Sequence, residues 1–269
     1  MSPLTLILIL LGVALAALIV VVLVRTAQFP IDTPEPEPYP LTNIDGEEVA
    51  RHIGLAIQMK TINNVDPEKV DSIPFQGLHN LIAMLYPEVE EHLKREVIGN
   101  YSLLYTWEGS DPSLDPIALT AHMDVVPANE DPDSGWSYPP FSGTVADGYV
   151  WGRGAIDCKG VMIGILEAVN YLLKVGFAPK RTVYLAFGED EEVSGARGAE
   201  KIAQTLKDRG VHLSFLLDEG GTIMENTVPG IEKPVGLIGV AEKGHLSLQL
   251  RSQTGPGHAS APGEITAIG

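Results

Sequence analysis

The sequence predicts an α/β fold, a sheet covered by helices on both faces. Three observations carry that expectation. The apolar runs Pro116–Thr120, Thr182–Phe187 and Leu213–Leu217 have the length of buried strands and are too short for free helices. Stretches of helical length alternate with such runs, the pattern of a sheet layered with helices. Several runs end in acidic or imidazole side chains, as expected where strand ends gather at a ligand-binding edge.

Leu4 to Val24 carries no charge and Arg25 follows it directly. About 20 apolar helical residues cross a bilayer. The start, Met1-Ser2-Pro3, is not basic, and the run exceeds the roughly 7–15 apolar residues of a signal peptide. Residues 1–25 therefore read as a retained membrane anchor in preference to a cleaved signal. Residues 26–41 are rich in proline and acid, which suits a stiff, extended spacer. Folded sequence is expected from residue 42. Asp45-Gly46-Glu47-Glu48 resembles a helix start, and Val49, Ile53, Ile57 and Met59 fit an amphipathic helix. A second helix is expected at Gln76 to Tyr86, with a break at Pro87 and a further turn through Leu93. Strands are expected at Tyr101–Trp107, Pro116–His122, Tyr149–Trp151, Thr182–Phe187 and Leu213–Leu217, with helices at Lys159–Val175 and Gly198–Arg209. After Gly239 the texture changes, and His245 to Leu250 alternates like a strand with one wet face. Residues 42–241 are thus expected to form one domain and 242–269 to open another. A domain of one strand and a loop cannot fold alone, so the chain reads as C-terminally truncated.

Among 269 residues, 18 basic against 35 acidic give a formal charge of −17. Such a surface repels nucleic acid, which attracts lysine and arginine. Cys158 is the single cysteine, which rules out an intrachain disulfide.

The strand-end clusters are His122-Met123-Asp124, Asp157 after Gly152-Arg153-Gly154, Glu191-Glu192, and Asp218-Glu219-Gly220-Gly221. Residues i and i+2 of a strand share a face, so Asp124 is placed to orient His122 as a metal-bound imidazole requires. Asp157 has two oxygens with which to bridge two cations, as two-metal hydrolases need. Of Glu191 and Glu192, one carboxylate can bind metal while the other acts as a general base. A solvated acidic turn is the plain alternative, because Glu189 and Asp190 are acidic too. One of Asp218 and Glu219 could close the second cation's site, and spacing does not say which. His122, Asp157, Glu192 and Asp218 make four ligating residues, one fewer than two shared sites normally need.

Together, His122-Met123-Asp124-Val125-Val126-Pro127, Gly152-Arg153-Gly154-x-x-Asp157-x-Lys159, Asp190-Glu191-Glu192-x-x-Gly195, Asp218-Glu219-Gly220 and Gly257-His258-Ala259-Ser260-Ala261-Pro262 resemble the aminoacylase and carboxypeptidase S family of zinc metallopeptidases. The likeness extends over roughly residues 46–269, with five motifs in family order, and is strongest to carboxypeptidase S and the N-fatty-acyl-amino-acid hydrolases. It implies a zinc-peptidase-like mixed sheet flanked by helices, with the start of an inserted α+β lid domain. It implies two Zn2+ ions, with Co2+ or Mn2+ as substitutes. His122 and Asp218 would bind one ion each, Glu192 would also bind, and Asp157 would bridge. Glu191 would be the general base, Asp124 would steer His122, and His258 would hold the substrate, often across a dimer interface of lid domains. The family's last metal-binding histidine would lie beyond Gly269, so residues 26–269 alone are expected to show little turnover. The implied activity is hydrolysis of the amide bond of C-terminal peptides or N-acyl amino acids. The domain would be extracytoplasmic and anchored, or secreted if the N-terminal segment is cleaved. The rival is an anchored, non-catalytic binding or scaffold protein. His52, His79, His92 and His212 read as surface or core-edge residues, Cys158 as a small buried one. Trp136, Tyr138 and Phe141 suit a cleft wall or ordinary packing equally.

Overall fold

A computed structural model describes residues 2–29, 44–241, 244, 246 and 248–252. The chain divides at residue 43 into two compact units. In the first, helix α1 (Pro3–Ala27) starts at Ser2, whose hydroxyl accepts from the Thr5 amide, with Pro3 in the first turn where its missing N–H costs nothing. None of its residues is buried. Its 25 residues span about 37 Å at 1.5 Å per residue, long enough and apolar enough to cross a membrane.

The second unit begins with α2 (Gly46–Gln58), capped by the Asp45 carboxylate on the amides of Glu47 and Glu48. Helix α3 (Ser72–Leu85) starts four residues before the expected Gln76, because the Asp71 carboxylate accepts from the Ile73 amide and so fixes the first turn there. Helix α4 (Pro87–His92) follows at once.

Strand β1 (Lys94–Ile98) was not expected, since Lys94, Arg95 and Glu96 mask its pattern. Gly99, at φ +68°, turns it back into β2 (Ser102–Trp107). Then come β3 (Ile117–His122), the small hairpin of β4 (Thr144–Ala146) and β5 (Tyr149–Trp151), α5 (Lys159–Lys174), β6 (Val183–Gly188), α6 (Ala199–Asp208) and β7 (Phe215–Leu217). A short pair, β8 (Ile223–Met224) and β9 (Val235–Gly236), lies beyond.

The main sheet runs β1-β2-β6-β3-β7 and is mixed. β1 and β2 are antiparallel, as are β2 and β6; β3 is parallel to both β6 and β7. Period-two alternation divides the side chains between two cores. Leu103, Tyr105, Leu185 and Phe187 pack with α2, α3, α4 and α5 residues such as Leu78, Ile82 and Met162. Leu104, Ala118, Tyr184 and Ala186 pack with Ile202 and Leu206 of α6. The expected helices on both faces are present. Strand β7 departs from expectation: Phe215, Leu216 and Leu217 are 52%, 51% and 58% exposed rather than buried. Among the described residues it lies at the edge of the sheet and pairs only with β3.

Residues 30–41 of the proposed spacer, and all but a few of residues 242–269, lie outside the described residues, as do His245 and His258.

Leu185 is fully buried in central strand β6. Leu185→Ala is expected to lower unfolding stability by about 2–5 kcal/mol in urea titration. His79 donates its Nε2–H to the Tyr101 carbonyl at 2.7 Å, and burial holds its pKa below the usual 6.5. The fold therefore favours the neutral ring, and its contribution is full above the unfolded pKa and is lost as pH falls through the folded value. The urea midpoint should drop as pH falls below about 6.5, and His79→Gln should flatten that part of the profile.

Candidate metal centre

Parallel pairing sets the ends of β3 and β6 side by side, with His122 opposite Gly188 and the Met123 amide donating to the Gly188 carbonyl at 2.7 Å. On the other flank of β3, β7 runs out into Asp218 and Glu219. The loop from β5 to α5 brings Asp157.

His122 is 2% exposed. Its Nδ1 lies 2.9 Å from the Asp124 backbone carbonyl and 3.3 Å from the Asp124 carboxylate. A carbonyl only accepts, so Nδ1 carries a proton and Nε2 is the position open to a ligand. Nε2 lies 2.7 Å from Asp157 Oδ1, 3.3 Å from Glu219 Oε2 and 3.9 Å from Glu191 Oε2. Burial alone would lower the imidazole pKa, but the Asp124 and Glu219 carboxylates oppose it and hold the pKa well above the usual 6.5. A pocket so negative attracts a cation, which would displace the Nε2 proton.

Asp124 is fully buried. Its carboxylate does more than face His122: Oδ1 accepts from the Glu191 amide at 3.1 Å and Oδ2 from the Glu192 amide at 3.2 Å. This clamp shapes the 3-10 turn Glu191–Val193, after which Ser194 and Gly195 reverse the chain in the left-handed region. The Glu191 side chain is 54% exposed. Burial raises the pKa of Glu191, with Glu219 and Glu192 adding to it and His122 opposing; burial and then Asp157 raise that of Glu192.

Glu189 and Asp190, which look like part of a solvated acidic run, are each 1% exposed. Glu189 accepts from the amides of Tyr101 and Ser102. Asp190 accepts from those of Arg197 and Gly198, both at 2.8 Å. The Arg197 guanidinium reaches Asn63 Oδ1 at 2.7 Å, and the Asn63 amide donates to the Glu189 carbonyl. Sequence reasoning missed these braces.

The loop to Asp157 depends on two glycines. A Cβ on Gly152 would meet Ile57 at 2.6 Å, one on Gly154 would meet Val125 at 2.8 Å, and both residues have positive φ. Cys158 is buried as expected, and its Sγ accepts from the His122 amide at 3.0 Å. Burial outweighs the His122 charge and pushes its pKa up to about 11, so it stays a thiol.

Among the described residues, three sets bring one potential ligand atom each within 4.8 Å of one another. Glu88, Glu91 and His92 form one on α4, and the two that share His122 are His122, Asp157, Cys158 and Glu219, and His122, Glu191 and Glu192. Asp218 belongs to none of them. Its Oδ1 instead accepts from the Thr120 hydroxyl on β3 and from the Glu219 amide. Glu219 Oε2 is shielded from solvent and has no hydrogen-bond partner. An unsatisfied carboxylate oxygen facing an imidazole nitrogen, amid further carboxylates, suits a divalent cation of the zinc type. The donor set fits a metal.

The expected wall residues are packed locally. Arg153 lies over Trp136 at 5.6 Å, Tyr138 packs on Trp151 at 5.4 Å and bonds Asp147, and Phe141 is buried beneath Lys60. His52 is buried and bonds Glu167, which also receives the Tyr86 hydroxyl.

Residues 118–264 match the family described as Peptidase family M20/M25/M40. The chain is 43% identical over 225 residues to the N-fatty-acyl-amino acid synthase/hydrolase PM20D1.1 of Danio rerio, covering 83% of this chain and 43% of that protein. It is 41% identical over 203 residues to carboxypeptidase S of Saccharomyces cerevisiae, covering 72% of this chain and 34% of that protein. The chain thus spans less than half the length of these relatives. Human carnosine dipeptidase 1 shares the fold with a TM-score of 0.54 at 21% identity, over 66% of this chain and 40% of that one.

Asp124→Asn replaces one of two accepting oxygens by an amide that faces another donor. The variant is expected to lose about 1–3 kcal/mol of stability, the cost of an unsatisfied buried group, read as a lowered urea midpoint.

Proposed function

Because the chain belongs to Peptidase family M20/M25/M40, we propose that it supplies the metal-binding and catalytic part of a hydrolase. The enzyme cleaves the amide bond next to an amino acid's free carboxylate, in N-acyl amino acids or C-terminal peptides. The observation that carries this reading is the convergence of His122, Asp157, Glu191, Glu192 and Glu219 on one edge of the sheet. Two zinc ions held there would supply Lewis-acid charge that polarises the scissile carbonyl and makes water acidic enough to act near neutral pH.

The chain's own residues do the rest. His122 offers Nε2 as a ligand because Nδ1–H is committed to Asp124. Asp157 would help to hold both ions and Glu192 one of them. Glu191 accepts the proton of the attacking water and returns it to the leaving nitrogen. Its carboxylate is accessible, and its raised pKa suits a base that must also donate. Asp124 holds Glu191 and Glu192 by their backbone amides, so the base and its neighbouring ligand keep a fixed spacing. For the remaining carboxylate we assign Glu219 in place of Asp218, whose oxygen is taken by Thr120.

His258 is proposed to hold the substrate and the segment from residue 242 to open a lid through which copies pair. Helix α1 is proposed to anchor the domain outside the cytoplasm. The relatives that match are named as hydrolases and a carboxypeptidase, and no observation favours the scaffold reading.

In the protein as its cells make it, Glu191→Gln should keep its metal and lose about 10²–10⁴-fold in turnover of an N-acyl amino acid. Retained zinc with unchanged turnover would refute the base assignment. Glu219→Gln should weaken zinc binding more than Asp218→Asn does, measured by competition with a chromophoric chelator; the reverse order would return the ligand role to Asp218.

A further inference from the structure

The amine of Lys159 is fully buried, yet the residue lies two positions past Asp157 and touches none of the cluster's carboxylates. Its Nζ donates to the carbonyls of Ala56 at 3.0 Å and Met59 at 2.5 Å. These belong to the last turn of α2, where carbonyls lack helical partners and the helix dipole is negative. Burying an amine costs free energy unless its donors are met, so a residue serving packing alone would be apolar.

The bonds continue beyond α2. The Met59 carbonyl also accepts from the Thr61 amide at 2.8 Å. The Thr61 hydroxyl donates to the Met123 carbonyl at 2.6 Å, and the Thr61 carbonyl accepts from the Val125 amide at 3.0 Å. Thr61 therefore grips the chain on both sides of Asp124. At the other end, the Lys159 amide donates to the Gly154 carbonyl at 3.0 Å, closing the loop that carries Asp157. A Cβ on Gly154 would press on both Val125 and the Lys159 stem, so the two segments already touch through that glycine.

We propose that Lys159 is a positioning residue that ties the Asp157 loop, through the end of α2 and Thr61, to the strand end bearing His122 and Asp124. It sets the spacing between ligands from two separate segments without touching a metal ion or a substrate. Only the zinc arm of the test rests on the proposed metal centre.

The test compares the full chain with its Lys159→Met and Thr61→Val variants. In metal-free protein, amide hydrogen exchange in Lys159→Met should quicken about 10-fold or more within residues 123–125 and 154–158, and stay unchanged in β1 and β2. Zinc affinity should fall about 10–100-fold, as when support behind a ligand is lost. Thr61→Val, which cuts the bond to Met123, should quicken residues 123–125 alone. Wild-type exchange at both segments in Lys159→Met, or zinc affinity within about twofold of a zinc-binding wild type, overturns the proposal. If Lys159→Met does not fold, Thr61→Val decides: unchanged exchange at residues 123–125 overturns it. A wild-type chain that takes up no zinc defeats the metal reading, and the exchange arm still judges Lys159.

Discussion

A carboxylate with no access to water holds this site together. Asp124 receives the amides of Glu191 and Glu192 on separate oxygens, and its own carbonyl and carboxylate face His122. Strand β3 and the turn after β6 are thereby joined by charge-assisted bonds as well as by sheet pairing. An ionised group in a dry interior is tolerated only when its lone pairs are met. Here backbone N–H groups meet them, and they have little freedom to move away. The placement of both glutamates follows from this one residue.

The same arrangement concentrates negative charge. Asp157, Glu191, Glu192 and Glu219 crowd around a single imidazole. Like charges at such spacing repel, although the exposure of Asp157 and Glu191 lets water screen part of the repulsion. Burial first, and the neighbouring carboxylates after it, raise the pKa values of Glu191 and Glu192. The proton held on His122 is the one positive charge the cluster can recruit from itself. A divalent ion relieves the repulsion more fully, since it brings two charges and accepts several oxygens at once.

Much of this was legible in the sequence, for identifiable reasons. The helix start after Asp45 and the break between α3 and α4 at Pro87 follow from a side-chain cap and a proline, which act locally. The start of α3 at Ser72, four residues before the expected Gln76, was missed because the Asp71 cap was overlooked. Parallel strands end at one edge, so His122 and the Glu191-Glu192 pair were expected to meet. Strand β1 escaped because an edge strand carries charge, although the Gly99-Asn100 turn marked its hairpin. The burial of Glu189 and Asp190 was hidden for another reason. Their partners are backbone amides of Tyr101, Ser102, Arg197 and Gly198, and amides leave no trace in residue identity. The bond from the Thr120 hydroxyl to Asp218, from one strand away, is likewise something that spacing along β7 cannot reveal.

The β2–β6 pairing sets Tyr105 against Leu185, 80 positions apart (185 − 105). Joining such distant segments exacts a heavy loop-closure entropy, and topologies of this kind assemble slowly. During synthesis the ribosome releases His122 well before Glu191 exists, so no early fragment can carry a finished pocket. Until β6 docks, the acidic segments stay apart and have no cooperative grip on an ion. An ion that bound at this edge of the sheet would therefore be gripped only once β3 and β6 have paired.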